Sequence, residues 1–204
     1  MSRIGALILA VCIVLPAWAG AQSVTKLADV ERGLWAASHT GAVYYLDLPG
    51  ENGSSALGSL IGIEVGYDLL DVLQIGLLAW GQSVGAPADY RGITDDDLDP
   101  RGARGDFQTM MFGAGLRWAP IRLADDNGIE RTFFFLRAAG GATISRPRGI
   151  LDEEGFFALA GLGVEYFTHL RHFSVGVEVD WLGLLGELGQ AHAITLLPHL
   201  KYTF

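Results

Sequence analysis

From Ile194 to Phe204 the chain alternates without a break. Ile194, Leu196, Pro198, Leu200, Tyr202 and Phe204 share one face of an extended strand, and Thr195, Leu197, His199, Lys201 and Thr203 share the other. The first face is apolar and ends in two aromatics; the second carries cations and hydroxyls. Lipid cannot hydrogen-bond a backbone, so a strand that crosses it belongs to a closed sheet with an apolar outer band, aromatic girdles and a polar interior. The pattern predicts a lipid-facing strand of an outer-membrane barrel. Tyr202 and Phe204 at its end resemble the terminal signal that bacterial barrel-assembly machinery reads.

The same period recurs in about eight segments, a common size for small barrels. The first runs from about Gly33 to Leu48, followed by the turn cluster Pro49 to Gly53. In the second, Ile61, Ile63, Val65, Tyr67 and Leu69 oppose Gly62, Glu64, Gly66 and Asp68, with a tight turn at Asp68 to Asp71. The third sets Leu73, Ile75, Leu77 and Ala79 against Gln74, Gly76 and Gln82, and a long polar stretch from Ser83 to Asp106 follows. Met110, Phe112, Ala114, Leu116 and Trp118 oppose Thr109, Gly113, Gly115 and Arg117 in the fourth, and residues 119 to 130 read as a turn region. Phe134, Leu136 and Ala138 oppose Arg137, Gly141 and Thr143 in the fifth, ahead of a charged loop from Arg146 to Glu154. Leu162, Val164 and Tyr166 oppose Gly161, Gly163 and Glu165 in the sixth. After a turn at His169 to His172, Val175, Val177, Val179 and Trp181 oppose Ser174, Gly176, Glu178 and Asp180; Gly183 to Gln190 lead into the closing strand. The prediction is an all-β, eight-stranded antiparallel up-and-down transmembrane β-barrel spanning 33–204.

With an even number of strands both chain ends lie on the periplasmic side. The loops near 49–58, 83–106, 146–154 and 183–190 then face outward, and the connections near 69, 119–130 and 169–172 face the periplasm. Pro198 is the misfit, because proline removes a ladder hydrogen bond and a closed barrel has no free edge. A bulge or a locally open seam between the first and last strands is expected there.

The N-terminus sets the compartment. Met1 to Arg3 form a positive start, Ile4 to Leu15 an apolar run too short to span a bilayer, and Ala19-Gly20-Ala21 a small-residue cleavage site. Residues 1–21 are expected to be a secretory signal peptide and 22–32 an N-terminal periplasmic lead. Removing the signal takes away Arg3 and the sole cysteine, Cys12, so thiol chemistry and disulfides are excluded from the exported chain. The formal charge of −9 becomes one unit more negative, and no basic stripe remains to bind nucleic acid. Half of the residues are hydrophobic and 10% aromatic, with 28 glycines, which suits short amphipathic strands better than helical spans. A soluble β-sandwich fits less well, because the faces opposite the apolar ones carry Glu, Arg and Asp.

The inward faces hold the candidate chemistry. Glu64, Glu165, Glu178 and Asp180 are expected to share the lumen with Arg117, Arg137 and Lys201. Buried charges must be paired and an eight-stranded interior is only wide enough for side chains, which favours a salt-bridged plug over a gated pathway or an acid/base pair. The inward glycines leave room for long side chains. His172, Ser174 and Glu178 have the spacing of the His-x-Ser and acid of lipid A deacylases, but the topology puts them inward at the periplasmic end, away from outer-leaflet lipid A. No catalytic, cofactor or metal residue is assigned. Asp95-Asp96-Asp97-Leu98-Asp99 suggests oxygen ligands for calcium, yet Pro100 stands where an EF-hand needs glycine, so a solvated acidic loop is the plainer reading. Arg104-Gly105-Asp106 spells an adhesion tripeptide short enough to arise by chance. The periplasmic group Arg122, Asp125, Asp126, Glu130 and Arg131 is the first choice for contact with a partner, with a solvated turn as the alternative.

Several stretches carry a family resemblance. Val30-Glu31-Arg32-Gly33, Gly105-Asp106-Phe107, Arg131-Thr132 and, above all, the run Gly163-Val164-Glu165-Tyr166-Phe167-Thr168-His169-Leu170-Arg171-His172-Phe173-Ser174-Val175-Gly176-Val177-Glu178 resemble the CglE-type adventurous-gliding motility proteins. The resemblance covers about residue 30 to Phe204 and brings no catalytic motif. It implies a non-enzymatic outer-membrane component of single-cell gliding that works with envelope-spanning motility proteins. A lipid A-modifying enzyme and a narrow passive channel are the alternatives. The partners expected are outer-membrane lipid, the barrel-assembly machinery and envelope motility proteins, with no cofactor and no nucleic acid.

Overall fold

A computed structural model describes residues 30–48, 55–85, 106–147, 150–187 and 189–204. The segment expected to be a signal peptide (1–21), most of the expected lead (22–32) and the acidic run Asp95 to Asp99 lie outside these residues. The strands are β1 (Leu34–Asp47), β2 (Ala56–Leu70), β3 (Leu73–Gly85), β4 (Phe107–Ala124), β5 (Glu130–Arg146), β6 (Glu154–Phe167), β7 (Phe173–Gly186) and β8 (Gly189–Thr203). Each pairs antiparallel with its neighbour in sequence, and β8 pairs back onto β1 from Trp35↔Thr203 to Asp47↔His192, closing the barrel.

The alternation read from the sequence carries the outer face. Ile61, Ile63, Val65 and Tyr67 on β2, Val175, Val177, Val179 and Trp181 on β7, and Ile194, Leu196 and Leu200 on β8 all point out and stay exposed. Closure pairs the backbone polar groups along every strand edge, so this apolar band can face hydrocarbon without leaving donors or acceptors stranded. Tyr67, Trp118 and Tyr166 are exposed near the periplasmic ends of their strands, where an aromatic girdle belongs.

Several connections are tighter than the sequence suggests. The ladder of β2 and β3 continues to Leu70↔Leu73, leaving only Asp71 and Val72 between them. Gly183 to Gln190, read as a loop, is mostly strand, because the β7–β8 ladder runs to Gly186↔Gly189. The alternation does not stop there: Leu182 and Leu184 turn inward while Leu185 turns out. Gly189 adopts φ 141°, a backbone conformation that side chains disfavour, and so supplies the turn. Likewise β4 and β5 reach Ala124 and Glu130, which shortens the expected turn at 119–130 to Asp125 to Ile129. The register shifts between Trp118↔Leu136 and Ile121↔Phe134, so Ala119 and Pro120 oppose Phe135 alone. Pro120 has no N–H for the ladder, and a bulge absorbs it.

At Pro198 no bulge forms, but the β1–β8 ladder is locally open as expected, with no paired residues between His39↔His199 and Ala42↔Leu196. The Pro198 side chain points outward, β7 pairs with it at Val177, and the β1–β8 register is the same at His39↔His199 and at Ala42↔Leu196. A Cβ added to Gly41, facing this stretch, would lie 2.0 Å from the Leu196 carbonyl oxygen, so glycine keeps the two strands in close approach across the interruption. The register shift on this seam falls instead between Tyr45 and Asp47.

The lumen is filled in two layers. Toward the outer rim it is mainly apolar: Val43, Leu60, Trp80, Met111, Phe157, Leu159, Leu182 and Leu197 belong to one buried cluster, joined by Leu48, Ile150 and Leu151 from the connections at that end, with the buried pairs Gln82–Tyr45 and Thr109–Ser145 among them. Toward the periplasm it is charged. Val30 closes the periplasmic mouth against Phe133 and Phe167, and Arg32 Nη1 donates to the Asp71 carbonyl at 2.6 Å.

Candidate functional site

The charged layer is assembled by single side chains from nearly every strand. Arg117 on β4 and Arg137 on β5 sit directly opposite each other, a repulsive pair unless carboxylates come between them. Glu64 from β2 and Glu178 from β7 do so. Arg137 Nη2 donates to Glu64 Oε2 at 2.8 Å, and its Nη1 to Glu178 Oε1. Arg117 Nη2 donates to Glu178 Oε2 at 3.2 Å and reaches Glu64 Oε2 at 3.5 Å. Below this ring Glu165 on β6 meets Lys201 Nζ at 2.5 Å, accepts from the Ser174 hydroxyl, and lies 4.0 Å from Arg117 Nη1. All of these groups are buried. Asp180 is the exception among the seven charged residues expected here, since it accepts from Thr195 Oγ1 at 3.2 Å and makes no direct ion pair among the described residues.

Aromatic rings wall in the ions. Arg137 lies over Trp80 at 4.6 Å, Arg117 over Phe135 at 4.9 Å, and Lys201 over Phe167 at 4.9 Å. Low-dielectric walls strengthen each ion pair and raise the cost of breaking one. The inward glycines make room for rings more than for the long charged chains. A Cβ at Gly62 would lie 2.1 Å from Trp80 Cδ1, one at Gly66 2.3 Å from Trp35 Cζ2, and one at Gly163 2.4 Å from Phe135 Cζ.

Sequence reasoning missed His39. It projects inward from β1 between the two shared carboxylates, with Nε2 3.4 Å from Glu64 Oε2 and Nδ1 3.2 Å from Glu178 Oε1. Its signal was weak, because Ser38 and Thr40 on the outward face of the same stretch are polar too. With His199 and Glu178 it forms the one group of buried metal-ligating side chains found among the described residues.

The deacylase-like set is not assembled. His172 stacks on Tyr202 with ring centroids 5.5 Å apart, and its Nδ1 sits 2.8 Å from the Thr203 carbonyl oxygen. Ser174 is committed to Glu165, and Glu178 to the arginines. A small cavity of about 20 Å³ opens at the periplasmic mouth beside Arg32, Gln74, Arg117 and Glu165, room for about one water. It ends below the apolar layer.

The periplasmic group is largely paired within itself. Arg122 meets Glu130 at 2.6 Å; Arg131, buried, donates to Asp125 at 2.9 Å and to the Thr168 carbonyl at 2.9 Å, tying two periplasmic turns together. The Ile129 backbone N–H and then the Arg131 side chain hold the Asp125 carboxyl down at about 2. An ordinary Asp in the unfolded chain titrates near ~3.9. The folded value is the lower one, so the turn's extra stability is complete above pH ~4 and is lost as pH falls through about 2. Amide exchange at Asn127 and Ile129, both bonded to Asp125, should therefore accelerate in that window; rates that follow only the intrinsic pH dependence would contradict this.

By fold the chain is an eight-stranded outer-membrane β-barrel. Among solved structures it is similar to Neisserial surface protein A, with a TM-score of 0.60 and 13% identity over 84% of this chain and 97% of that one. It is also similar to the outer membrane protein OprG from Pseudomonas aeruginosa, with a TM-score of 0.52 and 11% identity over 88% of this chain and 99% of that one. No family model and no curated protein matches the sequence.

Proposed function

We propose that the protein is a non-enzymatic component of the bacterial outer membrane that works through its two rims as a structural or docking element of the envelope, in the service of gliding motility. The observation that carries this reading is the filled lumen. A packed apolar layer above a locked ionic layer offers no route for solutes, and the Ser174 hydroxyl is buried against Glu165 instead of facing a substrate. What remains for contact with partners lies at the ends. The motility assignment rests on the resemblance of Gly163 to Glu178 and its flanking stretches to the CglE type. On the periplasmic side Asp126 and the Arg122–Glu130 pair present the docking surface for envelope motility proteins, while Arg131 and Asp125 hold its shape.

Deleting the gene should abolish single-cell gliding and leave lipid A unchanged by mass spectrometry. Normal gliding would remove the motility assignment, and altered lipid A that is also seen in a Ser174→Ala strain would favour the enzyme.

Assembly by the barrel machinery is read at Tyr202 and Phe204 under the same proposal. Tyr202 packs edge-on against Phe173 at 4.9 Å and Phe204 at 5.0 Å on the outer face, and the Phe204 N–H donates to the Leu34 carbonyl at 2.9 Å. Deleting Phe204 should lower the heat-modifiable, folded fraction in the outer membrane several-fold. An unchanged folded yield would sink this role.

A further inference from the structure

We propose that the lumen holds a divalent transition-metal ion bound by His39, His199 and Glu178. The two histidines face each other across the β1–β8 seam, with ring centroids 5.4 Å apart, and Glu178 comes from the adjacent β7. One ligand atom from each lies within 4.8 Å of the others. His39 Nδ1 and Glu178 Oε1 are 3.2 Å apart, close to the roughly 3.3 Å edge of a tetrahedral site with metal–ligand bonds of about 2.0–2.1 Å; Oε1 also accepts from Arg137 Nη1 and Oε2 from Arg117 Nη2, so the ion would share this carboxylate with the two guanidinium groups.

The independent observation is the stranded imidazole of His199. His199 is 5% exposed, has no ion pair among the described residues, and leaves both Nδ1 and Nε2 without a hydrogen-bond partner. His39, by contrast, sits between two carboxylates, with Nε2 3.4 Å from Glu64 Oε2 and Nδ1 3.2 Å from Glu178 Oε1. Buried polar groups in native proteins are otherwise satisfied, and an imidazole with neither nitrogen partnered, beside His39 and Glu178, calls for an electrophile. The fold also reserves the space, since a Cβ at Gly176 would lie 2.4 Å from His199 Cε1.

Charge favours a cation. Counting Asp180 as ionised, Glu64, Glu165, Glu178 and Asp180 outnumber Arg117, Arg137 and Lys201 by one among these buried groups. A protonated His39 would also offset this excess, but it would leave His199 unsatisfied. Two imidazoles and a carboxylate, without thiolate, select zinc, nickel, copper, cobalt or ferrous iron over calcium and magnesium, which require mostly oxygen ligands. Entry would be from the periplasmic mouth, where the small cavity reaches Arg117 and Glu165. Glu64, 3.4 Å from His39 Nε2, stands beside the site as an outer-shell acceptor.

The test titrates the barrel folded in lipid nanodiscs with Zn²⁺ and, separately, Co²⁺. One ion per barrel is expected, with a zinc-dependent rise in melting temperature that EDTA reverses and the visible absorption of four-coordinate cobalt. His199→Gln should weaken binding at least about tenfold, while His192→Gln, whose ring stacks on the outward Trp181, should leave it unchanged. If His199→Gln yields no heat-modifiable barrel, X-ray absorption at the zinc edge of the wild-type protein decides. Imidazole scattering is expected, and a shell without it overturns the site. A folded wild-type barrel that takes up neither metal in stoichiometric amount overturns the proposal, as does binding equally strong in His199→Gln.

Discussion

Replacing Arg137 by Ala should cost the barrel on the order of 3–5 kcal/mol, the usual penalty for leaving buried charges without their partner. Arg137 bridges Glu64 and Glu178 and lies over Trp80, so its loss strands two carboxylates in an aromatic box with only Arg117 and His39 beside them. Replacing Arg146 by Ala is the comparison. Its side chain is 78% exposed and meets Glu153 at 3.7 Å, and such a surface pair is worth under ~1 kcal/mol. Urea unfolding in lipid vesicles should therefore shift strongly for the first variant and barely for the second. Adding Glu64→Gln to Arg137→Ala should recover part of the loss, because one stranded charge is removed with its partner. Equal midpoints for the two arginine variants would contradict an ion-locked lumen.

Gly141→Ala should prevent the barrel from closing. The added Cβ would lie 2.1 Å from the Phe112 carbonyl oxygen and 2.5 Å from Gly113 Cα, both backbone atoms of the paired strand that cannot swing aside. Gly113 opposite it is equally tight, at 2.3 Å from the Gly140 carbonyl oxygen, so β4 and β5 meet here with no room for a methyl group on either. At Gly81 a Cβ meets nothing within 4 Å, and Gly81→Ala should be tolerated. The readout is heat-modifiable gel mobility of each variant after expression. Folded Gly141→Ala at the wild-type level would show that these strands do not approach as closely as described.

The outer face of this barrel was legible because lipid imposes one strict rule on it, and residues such as Ile61, Val175 and Leu196 obey that rule at every second position. The charged layer was legible for the same reason, since Glu64, Arg117, Arg137 and Glu178 interrupt otherwise small or apolar inward positions. The outer half of the lumen was not. There both faces are apolar, as with Leu182 and Leu184 inside and Trp181 and Leu185 outside, and alternation by residue type disappears although alternation of direction continues. Glycines such as Gly183 and Gly186 then read as turn chemistry, when the strand ends only after Gly186. Trp35 and Trp80 illustrate the same loss. Large aromatics belong at a girdle by default, but each points inward, with Gly66 and Gly62 beside them reduced to make space. Neither the bulge at Ala119 and Pro120 nor the meeting of His39 with Glu178 could be read locally, because both depend on the register between strands.

A filled lumen leaves the protein to act from its rims. Planar lipid bilayers containing the purified, folded barrel test this most directly. No discrete single-channel conductance is expected across the physiological voltage range, because the apolar cluster from Val43 to Leu197 closes the path above the ion-paired layer. Reproducible unitary current steps from the wild-type barrel would contradict it.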